Sequence, residues 1–141
     1  MREHSRVPGA GLPGCRALGW YLAEYGCCQV TVNVLRHREL GLDRVFRCVQ
    51  ALAAARGVRV CSSELIGMVP KGALLAAGWR SLHPGAIGEP PADAEREEDR
   101  LVRAAVAALG LDARRPFDPR QKVLEYRIAA LLGPQAPRLE I

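Results

Sequence analysis

The run from Cys28 to Leu35, C-Q-V-T-V-N-V-L, alternates along its length: Val30, Val32 and Val34 fall on one face, Gln29, Thr31 and Asn33 on the other. A period of two marks a half-buried β-strand. Ahead of it stands a second β-prone run, Arg16–Ala23 (R-A-L-G-W-Y-L-A), with Glu24-Tyr25-Gly26 between them. The first run also admits a short helix. The glycine-bearing turn and the matched lengths favour an antiparallel hairpin, which places Trp20 and Tyr21 on opposite faces.

After the hairpin the period changes. In Leu42–Arg56 the residues Val45, Phe46, Val49, Leu52 and Ala53 form one stripe, while Arg44, Arg47 and Gln50 point away, as in an amphipathic helix. Asp43 suits the first turn of such a helix and Gly57 its end. Val58–Cys61 reads as a short strand, so strand, helix and strand suggest a βαβ unit. Ser62 to Pro70 is turn-rich and leads to a helix over Lys71–Trp79. Residues 81–94 are a Pro/Gly linker. Glu95–Leu109 carries acidic residues at its start and an apolar stripe of Leu101, Val102, Ala105, Val106 and Leu109, with Gly110 as its stop. Pro116-Phe117-Asp118-Pro119 then precedes a last helical run, R-Q-K-V-L-E-Y-R-I-A-A-L-L. The expected organisation is an irregular arm over 1–14, one domain over 15–126, and a helix end with a frayed tail over 127–141.

Composition narrows the function classes. The chain has 141 residues, 49% of them hydrophobic and 25% charged, as in an ordinary globular domain. Its net charge is +5, and since Lys71 and Lys122 are its lysines, 18 of its 20 cations are arginine. Aromatic residues make up 5%, too few to stack bases, which argues against a nucleic-acid partner. No apolar run approaches the roughly 20 residues that span a bilayer, and the first 14 residues lack a secretory apolar core. Five cysteines, an odd number with no C-x-x-C pair, and three scattered histidines predict reduced thiols in a cytoplasmic protein, with no metal site and no disulfide framework. Nothing resembles a nucleophile–His–Asp arrangement, a phosphate loop or a hydrolase carboxylate pair.

Several segments, in one order, resemble the glutamate formimidoyltransferase and formimidoyltransferase-cyclodeaminase family, specifically the C-terminal subdomain of the formiminotransferase unit. The most specific is Ser63-Glu64-Leu65-Ile66-Gly67-Met68-Val69-Pro70, close to the family's G-S-E-L-V-G-L-V-P. Gly19-Trp20-Tyr21-Leu22, Gln29-Val30 with Asn33, Pro116-Phe117-Asp118-Pro119 and Glu125-Tyr126 support it, so that the likeness covers about Val7 to Tyr126. The resemblance implies transfer of a formimino group from N-formiminoglutamate to tetrahydrofolate, in histidine breakdown. It also implies an α+β fold, a ferredoxin-like two-layer sandwich, here lacking its first strand and helix and extended by C-terminal helices. In the family folate lies in a groove between two such subdomains, and the principal acid/base histidine belongs to the N-terminal one. No catalytic residue is therefore assigned in this chain. The sequence departs from the family at Leu35 and Arg36, at Ser62, where a glycine is usual, and at Asp43, where histidine is common.

On that resemblance the candidate folate-binding residues are Glu64, Asn33, Ser63 and Lys71. Glu64 would accept hydrogen bonds from a pterin ring or substrate amine; its alternative is a turn carboxylate bound to backbone N–H groups. Asn33 either faces the groove or is a satisfied strand-end amide. Lys71, and the basic corner Arg36-His37-Arg38, would attract a polyglutamate tail, or are simply solvated. The expected function is the folate-binding half of a formiminotransferase, inactive without an N-terminal subdomain. Its partners would be folate or polyglutamyl folate, together with that subdomain or a second copy of the chain. The alternative is a non-catalytic family remnant that serves as an interaction or dimerisation scaffold. The absent first strand would leave a gap that Val58–Cys61 closes by pairing in parallel with Cys28–Leu35, or a slot that stays open or is filled by a partner strand; the open or partner-filled slot is the expectation.

Overall fold

Residue pairing across the hairpin follows the alternation in the sequence. In the computed structural model, which describes residues 12–87 and 90–133, strand β1 spans Cys15–Leu22 and strand β2 spans Cys27–Val34. They pair antiparallel, from Cys15 opposite Val34 to Leu22 opposite Cys27. A single 3-10 turn, Ala23–Tyr25, joins them and closes at Gly26, whose φ of 59° a side chain would resist. The short-helix alternative for the first run is thereby set aside. The register puts Cys15, Ala17, Gly19 and Tyr21 on one face with Cys28, Val30, Val32 and Val34. The other face carries Arg16, Leu18, Trp20 and Leu22 with Cys27, Gln29, Thr31 and Asn33. Tyr21 is 64% exposed and Val30 50% exposed, so within the described residues the more apolar face is open. One helical turn, α1 (His37–Leu40), follows.

The chain divides into two compact units, the first ending at Leu40 and the second starting at Gly41. The second is helical. Helix α2 spans Leu42–Ala54, α3 Lys71–Leu82, α4 Glu98–Leu109, α5 Pro119–Lys122 and α6 Leu124–Leu132. Its core lies chiefly between α3 and α4: Ala73, Leu74 and Ala77 meet Leu101, Val102, Ala105, Val106 and Leu109, with Val69 and Val123 buried beside them. The helices approach so closely that a Cβ on Gly78 would lie 2.0 Å from the Leu101 carbonyl oxygen. This is why the small residues of α3 face α4.

Several boundaries differ from expectation, each for a local reason. Helix α3 runs past Trp79 to Leu82, because nothing breaks it before His83, whose backbone the following Pro84 keeps out of the helical region. The helix expected from Glu95 begins as a 3-10 segment, Ala92–Glu97, and becomes α-helical at Glu98. At the C-terminal run Asp118 caps α5 by accepting from the Arg120 N–H (3.0 Å), with Pro119 in the first turn. Val123 then adopts an extended conformation and separates α5 from α6.

One expected element is absent. Val58–Cys61 is not a strand, so the βαβ unit does not form. A strand exists only where another backbone accepts and donates its hydrogen bonds, and none does so there among the described residues. Outside the hairpin, the β-type pairing among the described residues is one parallel bridge, Val69 with Val123. The fold is thus a mixed α and β structure with a two-stranded antiparallel sheet. The arm expected over 1–14 lies outside the described residues through residue 11, and the tail expected at the C-terminus lies outside them from residue 134. Of the linker expected over 81–94, Ser81 and Leu82 belong to α3 and Ala92–Ala94 to the 3-10 segment.

Candidate functional site

The segment Ser63–Lys71 is tied to three helices. At its start the Ser63 N–H donates to the Gly110 carbonyl (3.2 Å) and the Ser63 hydroxyl donates to the Leu109 carbonyl, both at the C-terminal end of α4. These bonds satisfy carbonyls that a helix end leaves without partners. Further on, the Lys122 ammonium donates to the Leu65 carbonyl at 3.0 Å. The Val69 N–H donates to the Lys122 carbonyl (2.9 Å), and the Leu124 N–H donates to the Val69 carbonyl (3.0 Å). Between these anchors Glu64, Gly67 and Met68 are exposed, and Ile66 is 74% exposed. Gly67 has a φ of 78°, the left-handed conformation that turns the loop.

A polar cluster stands where the segment enters α3. The Lys71 N–H donates to Glu125 Oε2 (2.6 Å), which places a carboxylate at the positive end of the helix dipole. The Lys71 ammonium donates to Glu98 Oε2 at 3.0 Å, and the Tyr126 hydroxyl donates to the other oxygen of the same carboxylate. Partial burial raises the Tyr126 pKa above that of ordinary tyrosine, and the hydrogen bond and charge of Glu98 raise it further.

A second cluster joins α2 to α3. The Asp43 carboxylate, 7% exposed, accepts from Arg80 Nε (3.0 Å) and Arg80 Nη2 (2.7 Å), and also from Arg47. Burial works to raise the Asp43 pKa. The hydrogen bonds and charges of Arg80 and Arg47 outweigh it and hold the carboxyl below the usual range. The residue standing where histidine is common is therefore a structural anion here.

Of the four candidates, Ser63, Glu64 and Lys71 belong to the helical unit, within one short stretch of chain. Asn33 belongs to the hairpin unit, where it is exposed and sits opposite Arg16. Glu64 is the solvent-facing carboxylate of the loop, whereas Ser63 points back into α4 and Lys71 is drawn to Glu98. In the basic corner, Arg36 pairs with Glu39 at 3.4 Å on the surface. Sequence reading missed Glu98 and Glu125 as partners of Lys71, Tyr126 as a donor to Glu98, and Arg80 as the partner of Asp43. Glu125-Tyr126 was visible as a family dipeptide, and Arg47 as a cation four residues after Asp43; Arg80 gave no local signal. Among the described residues, no group of three or more His, Cys, Asp or Glu residues could hold a metal ion. Nor is any described helix long and apolar enough to cross a membrane.

Comparison with known proteins agrees with the motif. The family model described as formiminotransferase domain matches residues 1–129. The chain is 34% identical over 134 residues to the formimidoyltransferase-cyclodeaminase of Gallus gallus, covering 92% of this chain and 23% of the relative. It is 33% identical over 136 residues to that of Mus musculus, covering 91% and 23%. Against the glutamate formimidoyltransferase of Streptococcus pyogenes serotype M1 the identity is 34% over 70 residues, covering 50% and 23%. The chain thus spans about a quarter of the length of these curated relatives. With the family model matched over nearly all of its length, the chain belongs to the formiminotransferase domain family.

Proposed function

We infer that the chain is the folate-binding half of a formiminotransferase, the enzyme that moves a formimino group from N-formiminoglutamate to tetrahydrofolate. The observation that carries this reading is the Ser63–Pro70 loop. Its two ends are hydrogen-bonded to helices while Glu64, Ile66 and Met68 face solvent. An exposed carboxylate beside apolar side chains suits a flat, hydrogen-bonding ring such as a pterin. Glu64 would accept from the ring, and Ser63 would hold the loop that carries it. Lys71 would meet a glutamyl carboxylate only in competition with Glu98. In this reading the hairpin and helices belong to a ferredoxin-like sandwich, completed by an N-terminal formiminotransferase subdomain that also supplies the proton-transfer group. The five free thiols suit a reducing compartment such as the cytoplasm.

The isolated chain should bind tetrahydrofolate weakly and transfer nothing, since positioning two reactants contributes about 7–11 kcal/mol to lowering such a barrier. Titration of the pure protein with tetrahydrofolate, followed by calorimetry, should show weak binding that Glu64→Gln reduces. Transfer by the pure chain alone, abolished in Glu64→Ala, would overturn the division of labour proposed here. The exposed apolar face of the hairpin favours a second reading, a non-catalytic scaffold. That reading gains if tetrahydrofolate does not bind even with an N-terminal subdomain present.

A further inference from the structure

Glu64, the carboxylate assigned to the ring, stands between two anchored neighbours. On one side Ser63 is bound to Gly110 and Leu109 through its N–H and its hydroxyl. On the other the Leu65 carbonyl accepts from the Lys122 ammonium at 3.0 Å. Lys122 also holds the far end of the loop, since its own carbonyl accepts from the Val69 N–H (2.9 Å). One residue thus closes the span 65–69, with its side chain at one end and its main chain at the other. Between those ends Ile66, Gly67 and Met68 are exposed. The Leu65 side chain packs against the core, which fixes where that residue stands but not the direction of its carbonyl. Among the described residues the ammonium is the one hydrogen-bond partner of any main-chain group from Glu64 to Met68.

Lys122 is half-buried and makes no ion pair among the described residues, so its charge is directed at a main-chain carbonyl rather than a carboxylate. A charge-assisted bond of this kind is stronger than a neutral one. The backbone that carries the lysine is held without help from its side chain. Asp118 caps α5 just before it, and the fully buried Val123 pairs with Val69 just after it. We propose that Lys122 is a positioning residue for Glu64: its ammonium fixes the Leu65–Ile66 peptide, so that the neighbouring carboxylate is presented in one direction before a ring arrives. The proposal rests on the reading of Glu64 as the carboxylate that meets the pterin. Order imposed during folding is not lost again on binding, and so it appears as affinity.

Five forms of the whole chain test it: wild type, Lys122→Met, Lys122→Arg, Glu64→Gln, and Lys122→Met combined with Glu64→Gln. Each is titrated with tetrahydrofolate and followed by NMR shifts, which report weak binding. Lys122→Met keeps the length of the stem but loses the donor, and should weaken binding by about tenfold. Lys122→Arg should restore affinity to within about threefold, because a single carbonyl needs one N–H donor and not a fork. In the Glu64→Gln background Lys122→Met should change affinity by less than about twofold, since positioning acts through the carboxylate. Equal losses in both backgrounds would mean that Lys122 touches the ligand itself or supports the fold at large. That result overturns the proposal, as does no loss in either. The same samples without folate give a second readout. The order parameter of the Ile66 amide should be about 0.85 in the wild type and fall below about 0.6 in Lys122→Met, with Ser63 and Val69 unchanged. An Ile66 amide that stays rigid in Lys122→Met overturns the inference whatever folate does. Failure of the wild type to bind tetrahydrofolate overturns the reading of Glu64 instead, while loss of order at Ile66 still upholds Lys122 as the brace of the loop.

Discussion

Gly78 is where α3 and α4 touch backbone to backbone, and replacing it with alanine tests the packing directly. The added methyl would stand 2.0 Å from the Leu101 carbonyl oxygen and 2.7 Å from its carbon, so neither a rotamer change nor a flexible side chain can relieve the overlap. One helix must move away from the other, loosening contacts around Leu74, Ala77 and Val102. Overpacking of this kind costs about 1–3 kcal/mol, and a backbone clash belongs at the upper end. Alanine regains about 1 kcal/mol of helix propensity over glycine. The net loss for Gly78→Ala is therefore about 2 kcal/mol, a fall in melting temperature on the order of 10 °C for a unit of this size. Gly72, in the first turn of the same helix, is the internal control: nothing lies within 4 Å of its Cβ position. Gly72→Ala should be neutral or stabilising by up to about 1 kcal/mol. Urea unfolding followed by far-UV circular dichroism gives both values on one scale. If the two variants are equally stable, the close approach of α3 and α4 is wrong.

Asp43→Asn removes the charge from a carboxylate that accepts two hydrogen bonds from Arg80, and should cost about 2–3 kcal/mol in chemical denaturation because those charge-assisted bonds lose their anion. Because the folded-state pKa of Asp43 lies below the ordinary 3.8, its contribution to stability is full above that value and is lost as pH falls through the folded pKa. Stability measured across acid pH should therefore fall less steeply in Asp43→Asn. The raised pKa of Tyr126 has the opposite sense: its contribution is full below the ordinary tyrosine pKa and is lost as alkaline pH rises toward the folded value. In the folded protein at about pH 11, an absorbance titration of phenolate should be unchanged by Tyr126→Phe. Ser63→Ala deletes the hydroxyl that caps α4 and should lower stability by about 1 kcal/mol on thermal melting.

What was legible in the sequence was local. The alternation from Gln29 to Val34 specified a strand because side chains on a strand face alternate sides whatever lies beyond. The stripe from Leu101 to Leu109 and the stop at Gly110 specified α4 in the same way. The motif from Ser63 to Pro70 marked the family. The residues that hold this motif in place lie far along the chain: Leu109 is 46 residues from Ser63, and Lys122 is 57 from Leu65. Asp43 meets Arg80 across 37 residues, and no period or cap announces such a pairing. Nor did the β-prone composition of Val58–Cys61 make it a strand. A helix closes its hydrogen bonds within its own segment, so its sequence is enough to propose it. A strand closes them on another segment, and whether a backbone stands beside residues 58–61 was decided by the tertiary structure alone.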